Sequence, residues 1–145
     1  MKVLVDTCVW SLAFRRTGVK EESEPVVREL QELIHDSRVQ MIGPIRQEVL
    51  SGIRTQAQFE VLRDHLRAFP DLEITFADYE LAAAMFNKLR SKGIQGSNTD
   101  YLLCALSQQY HMPIYTVDAD FLLFKKHLPI KLHQPRTVRA HHPVE

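Results

Sequence analysis

The sequence predicts an open three-layer α/β domain. Short apolar runs alternate with longer segments of helical periodicity from one end of the chain to the other. Strands separated by helices pair in parallel, with helices on both faces of the sheet. Two of the apolar runs, Val3 to Val5 and Pro113 to Val117, also stop at a carboxylate, Asp6 and Asp118. Ligands of open parallel sheets bind beyond the carboxyl ends of the strands, so these two ends mark the candidate site. The 145 residues predict one domain over 1–132 and a loose tail over 133–145, rich in His, Pro and Arg.

Val3 to Val5 reads as a strand buried on both faces. Trp10, Leu12, Ala13 and Phe14 begin a short helix closed by Arg15, Arg16, Thr17 and Gly18, and Lys20 to Ser23 reads as a loop. Ser23 as cap and Pro25 in the first turn start an amphipathic helix carrying Val26, Val27, Leu30, Leu33 and Ile34. Val39 to Ile42 is the second strand, and Gly43 and Pro44 turn it into a helix with Ile45, Val49 and Ile53 on one face and Glu48 beside them. Gly52 marks the end of that helix. Phe59, Leu62, Leu66 and Phe69 form the next helix, stopped by Pro70. Leu72 to Phe76 reads as a short strand, and Tyr79, Ala82, Ala83, Phe86 and Leu89 as a helix with Gly93 at its C-cap. Ser97 or Asn98 caps a helix bearing Leu102, Leu103, Ala105 and Leu106, with Asp100 in its first turn. After the Pro113 to Val117 strand, Phe121 to Phe124 form a short helix, and Ile130 to Leu132 a last edge strand.

Composition narrows the function. Lys and Arg total 18 and Asp and Glu total 18, so the net charge is zero. A protein that holds nucleic acid by charge alone is normally basic, so binding here would need a local patch or bound cations. The two cysteines, Cys8 and Cys104, lie far apart in apolar segments, which predicts two buried thiols in a reducing, cytoplasmic setting. No apolar run approaches the ~20 residues of a membrane span. Asp6 interrupts the first apolar run, so neither a leader nor a membrane partner is expected.

The chemistry-bearing residues are acids. Asp6 ends the first strand, Glu48 lies on the helix after the second, Asp100 opens the helix leading to the fourth, and Asp118 ends the fourth, with Asp120 as a fifth candidate. Taken singly, each also reads as a helix cap or a surface acid; Asp6 would cap the segment beginning at Val9. Together they belong on one side of a parallel sheet. Two charges ~5 Å apart repel by about 3 kcal/mol at an effective dielectric of ~20. Such a cluster is either partly protonated or holds a cation, and a set of hard oxygen donors selects Mg²⁺ or Mn²⁺ over zinc.

These residues resemble a family. Val5-Asp6-Thr7 with Trp10 close behind, Gln47-Glu48-Val49, the Gly96 to Asp100 helix start followed by Leu102, Leu103 and Ala105, and Thr116-Val117-Asp118-Ala119-Asp120-Phe121 are together similar to a PIN domain of the VapC toxin type. The resemblance spans the whole chain; Cys104, where the family commonly has Ala, is a small departure. It implies a sheet of about five parallel strands and a metal-dependent ribonuclease, the toxin of a toxin–antitoxin pair. Asp6, Glu48, Asp100 and Asp118 match the family's acidic quartet, Thr116 its hydroxyl residue, and Asp120 its additional acid. The expected metal ligands are Asp6, Asp100, Asp118 and Asp120. The expected partners are RNA, a small antitoxin and a second copy of the chain.

Other classes remain to be weighed. A haloacid-dehalogenase-like phosphatase needs a second aspartate two residues after the first, and Cys8 stands there. A non-catalytic phospho-receiver module wants a lysine after a late strand, where this chain has Asp118. A PIN nuclease of RNA processing, with no antitoxin, fits the same residues as the toxin does. Arg15 and Arg16, with Lys20, are candidates to contact RNA phosphates, or are a solvated charge run. His141 and His142 could bind metal or belong to the tail, and Trp10, between apolar neighbours, reads as core. A groove for an inhibitor helix is expected between the Trp10–Phe14 and Val26–Ile34 helices.

Overall fold

The computed structural model describes residues 1–14 and 23–136. Arg15, Arg16, Lys20, His141 and His142 lie outside the described residues. In chain order the elements are β1 (Val3–Val5), α1 (Thr7–Ala13), α2 (Glu24–His35), β2 (Val39–Gln40), α3 (Gly43–Leu50), α4 (Gln56–Leu66), α5 (Phe76–Arg90), α6 (Asn98–Tyr110), β3 (Ile114–Tyr115) and α7 (Asp120–Lys125).

The sheet order is β2-β1-β3, all parallel, with Leu4 opposite Gln40 on one side and Ile114 on the other. Single parallel bridges extend it at both edges, Met41 with Asp71 and Ile114 with Leu132. About five strands are expected; among the described residues the sheet has three, with one isolated bridge beyond each edge. The strand expected over Leu72 to Phe76 is absent: only the Leu72 N–H reaches the Met41 carbonyl, at 2.9 Å, and Phe76 already begins α5. The reason is Thr75. Its hydroxyl and the Asp78 carboxylate form a reciprocal capping box that draws the chain into the helix.

β1 is central and buried throughout. Val3 and Leu4 have no exposed surface, nor do Leu33, Leu66, Leu103 and Ile114 of the surrounding elements. The α2 stripe is apolar as its periodicity predicts, with Val27, Leu30 and Leu33 buried, although Ile34 is partly exposed. Trp10 is core, 1% exposed, and packs edge-on against Phe69. Ser23 precedes α2 without a side-chain capping bond, so Pro25 is what starts that helix. Gly52 and Gly93, past the ends of α3 and α5, take φ of +87° and +77°, which glycine adopts without strain.

Of the segment expected as a tail, His133 to Arg136 are described, and they are tied to the fold. The His133 N–H bonds to the Ile114 carbonyl at 2.8 Å, and its ring Nε2 lies 2.6 Å from Glu29 Oε2. Glu29 sits on the buried side of α2, 0% exposed, and also pairs with Arg136 at 3.3 Å. Arg136 in turn donates to Asp36 at 2.9 Å. A carboxylate taken out of water needs such partners, and the periodicity of α2 marked the apolar stripe but not the acid within it. His133→Ala is expected to cost about 1–3 kcal/mol by leaving Glu29 short of one buried partner. Urea denaturation of wild type and variant measures it.

Candidate active site

Asp6 follows the last residue of β1, and its N–H continues the ladder to the Tyr115 carbonyl at 2.9 Å. That bond sets Asp6 beside the carboxyl end of β3. The side chain is 6% exposed and caps α1, with Oδ1 accepting the Thr7 N–H at 2.8 Å. Asp6 is therefore strand end and helix cap at once, because a strand that turns directly into a helix puts its cap at the strand's carboxyl end. The Thr116 hydroxyl donates to Asp6 Oδ2 at 2.8 Å and accepts the Asp118 N–H at 3.0 Å. Asp118 Oδ1 accepts the Asp120 N–H at 2.9 Å. One chain of hydrogen bonds thus runs from Asp6 through Thr116 to Asp118 and Asp120.

Glu48 and Asp100 join from other elements. Glu48 stands on α3, and its Oε1 accepts the Thr7 hydroxyl at 2.6 Å. Asp100 is the third residue of α6, where Ser97 and Asp100 cap each other: the Ser97 N–H reaches Asp100 Oδ2 at 3.0 Å and Ser97 Oγ accepts the Asp100 N–H at 3.0 Å. Burial raises the Asp6 carboxyl, and the charge of Asp100 raises it further. Burial also raises Asp100, with Asp118 and Glu48 adding to the effect. Asp6, Glu48, Asp100 and Asp118 therefore share one electrostatic region. Asp120 is more peripheral: its carboxylate is exposed and makes no hydrogen bond among the described residues.

Thr7 and Cys8 also touch the acids, a place that the sequence reading gave to neither. Thr7 fixes Glu48, 41 positions away. Its hydroxyl, one residue past the strand's end, was the available signal, but no sequence pattern names that partner. Cys8 is not the buried apolar thiol expected. It is half-buried, donates to Asp6 Oδ2 at 3.6 Å, contacts Thr116 Oγ1 at 3.4 Å, and accepts the Val117 N–H at 3.4 Å. Burial first, and the Asp6 charge second, push its thiol up, so it serves as a weak donor beside the acids. Cys104 is buried, and its thiol is pushed up too, by burial and by Asp100.

The donor set fits a hard divalent cation. Every side chain in it offers carboxylate oxygen, and no ion pair among the described residues reaches Asp6, Glu48, Asp100 or Asp118. Negative charge gathered without a counter-charge is what Mg²⁺ or Mn²⁺ would offset. The fit is one of donor chemistry and not of spacing: no group of three or more His, Cys, Asp or Glu among the described residues is placed to hold a metal ion.

Two clefts lie away from the acids' own hydrogen bonds. One, of about 500 Å³, runs between Phe14 at the end of α1 and Val61, Leu62 and His65 of α4. This apolar groove lies between α1 and α4, whereas the groove expected between α1 and α2 borders residues 15–22, outside the described residues. The other, of about 380 Å³, lies between α5 and the start of α6. No helix among the described residues is long and apolar enough to cross a membrane.

The chain matches the PIN-domain family over residues 3–126. It is 33% identical to a VapC ribonuclease of Mycobacterium bovis over 121 residues, which cover 82% of this chain and 88% of the relative. The same figures hold for Ribonuclease VapC11 of Mycobacterium tuberculosis. Among solved structures, FitAB bound to a DNA fragment superimposes with a TM-score of 0.69 at 19% identity, covering 97% of this chain and 99% of that one. FitAcB of Neisseria gonorrhoeae gives 0.63 at 19% identity, with 92% and 97% covered. A toxin–antitoxin complex from Klebsiella pneumoniae gives 0.61 at 19% identity, with 83% and 90% covered. At that identity the structural likeness is one of fold.

Proposed function

The chain belongs to the PIN-domain family, in its VapC-type ribonuclease branch, and on that premise we propose that it is a Mg²⁺- or Mn²⁺-dependent cytoplasmic endoribonuclease acting as the toxin of a toxin–antitoxin pair. The observation that carries the reading is the hydrogen-bonded chain Asp6–Thr116–Asp118 at the carboxyl ends of two adjacent parallel strands, with Asp100 close enough to raise Asp6.

Asp6, Asp100 and Asp118 would hold the cation, with Asp120 beside them. Bound there, the metal supplies charge neutralisation at the scissile phosphate and a water made more acidic. The protein's own residues do the positioning. The Thr116 hydroxyl and Thr7 N–H leave Asp6 little freedom to rotate. The Thr7 hydroxyl occupies Glu48 Oε1, which leaves Oε2 to accept the proton of an attacking water. Each step asks for carboxylate, and a bound cation would oppose the burial that raises Asp6 and Asp100.

The partner we propose is a small antitoxin whose apolar helix docks in the Phe14–Val61–His65 groove. It would add an arginine to the acids, since a guanidinium pairs with carboxylate in a forked geometry. Incubating purified protein with total RNA, with and without Mg²⁺, and mapping new 5′ ends tests the nuclease. Metal-dependent ends at defined positions are expected; their absence at every metal concentration overturns the reading. Purification from the native host tests the toxin. Recovery without a partner, and unaffected growth of a heterologous bacterium expressing an active enzyme, would return the chain to RNA processing.

A further inference from the structure

The cleft between α5 and α6 draws its lining from two elements, α3 and α6, that also carry Glu48 and Asp100. Asn98 and Thr99, on its rim, immediately precede Asp100 on α6. Pro44, on another rim, lies one helical turn before Glu48 on α3, so the two share a face. The cleft is about 380 Å³, within the range of small-ligand sites. Its α5 side carries Tyr79, 53% exposed, with Ala82 and Ala83 beside it on the same helix face contributing only methyl groups, and its α6 side carries Asn98, Thr99 and Leu102. A cleft with an aromatic ring and small side chains on one helix and amide and hydroxyl groups on the other has the chemistry for a planar heteroaromatic ring.

We propose that this cleft is a nucleobase subsite, which takes the base of a single-stranded nucleotide flanking the phosphodiester held at the acids. The proposal rests on the nuclease reading. Single-stranded RNA is recognised by stacking its unpaired bases on aromatic side chains and by hydrogen bonds to their edges. Tyr79 supplies the stacking face, and Asn98 and Thr99 the edge contacts. A neutral protein gains from such a subsite, because stacking adds affinity that does not depend on a basic surface.

The test is the steady-state cleavage of a single-stranded RNA oligonucleotide containing a mapped cut site. Tyr79→Ala is expected to raise KM by about 5-fold or more, the lower end of the loss of one stacked base, with kcat within about twofold. Tyr79→Phe keeps the ring and should keep the wild-type KM. Ala83→Leu fills the slot and should raise KM as Tyr79→Ala does. Tyr79 and Ala83 are exposed, and circular dichroism checks that each variant is folded. An unchanged KM in Tyr79→Ala overturns the subsite while leaving the nuclease intact. A fall in sedimenting mass in that variant also overturns it, and assigns the cleft to a second copy of the chain. A wild type that neither binds nor cleaves the oligonucleotide removes the nuclease reading itself, and the subsite with it.

Discussion

Asp6→Asn is expected to lower RNA cleavage by about 10³-fold, the upper end of what the loss of one group stabilising developing charge costs a hydrolase, while the fold survives. Asparagine keeps one acceptor oxygen for the Thr7 N–H, so the α1 cap persists, and its NH2 group takes the place of Oδ2, where it can only donate to the Thr116 hydroxyl oxygen. Alanine would lose both, and about 1 kcal/mol of capping with them, which would mix a folding defect into the result. Asp100→Asn follows the same logic, since its Oδ2 accepts the Ser97 N–H in the α6 capping box. Single-turnover cleavage of a labelled RNA, alongside circular dichroism, measures both. Full activity in folded Asp6→Asn protein would remove that residue from the site.

Stability should move the opposite way. Burial and then neighbouring charge raise both Asp6 and Asp100 above the ordinary 3.8. A raised carboxyl binds its proton more tightly in the folded than in the unfolded state. It therefore supports the metal-free fold below about 3.8 and withdraws that support as pH climbs through its raised value. Metal-free wild type should accordingly fall behind Asp6→Asn/Asp100→Asn as pH rises through that window. Asp78 works in reverse. Burial pushes it up, but the Thr75 N–H and the Tyr110 hydroxyl outweigh that and hold it low, so its contribution is lost as pH falls. Both proteins retain Asp78, and the difference between them isolates the site. Mg²⁺ or Mn²⁺ at about 100-fold over Kd should add about 2.7 kcal/mol to the wild type, several degrees in Tm. The double variant should not respond. A melting curve for wild type that ignores metal at neutral pH, or a wild-type-minus-variant difference flat from pH 3 to pH 7, would count against a shared cation site.

Much of the site was legible because its acids lie where local rules operate. Asp6 and Asp118 could be found because an apolar run that ends in a carboxylate reports a strand end. Asp100 could be found because Ser97 and Asp100 stand at capping-box spacing. Glu48 was weaker, an acid on an exposed helix face, and it is Thr7 that ties it to Asp6. Cys8 was misjudged because composition reads a lone cysteine in an apolar segment as core. Its three polar neighbours come from the residue after β1 and from the loop after β3, and two of them are more than 100 positions away from it.

The sequence by itself determined the layered α/β architecture, the order of the helices, the buried β1 and the set of acids. Each of these follows from periodicity, capping or the sharp change from apolar to charged. The tertiary structure decided which segments remained strands. Leu72 to Phe76 has strand-like composition, but a strand at a sheet edge has one neighbour, and the Thr75–Asp78 capping box wins the contest. It also decided that His133 to Arg136 close over α2, because Glu29 is buried there and requires partners, and that the apolar groove opens beside α4. Partners far apart in sequence are chosen by packing, and packing is a property of the whole fold that no local pattern carries.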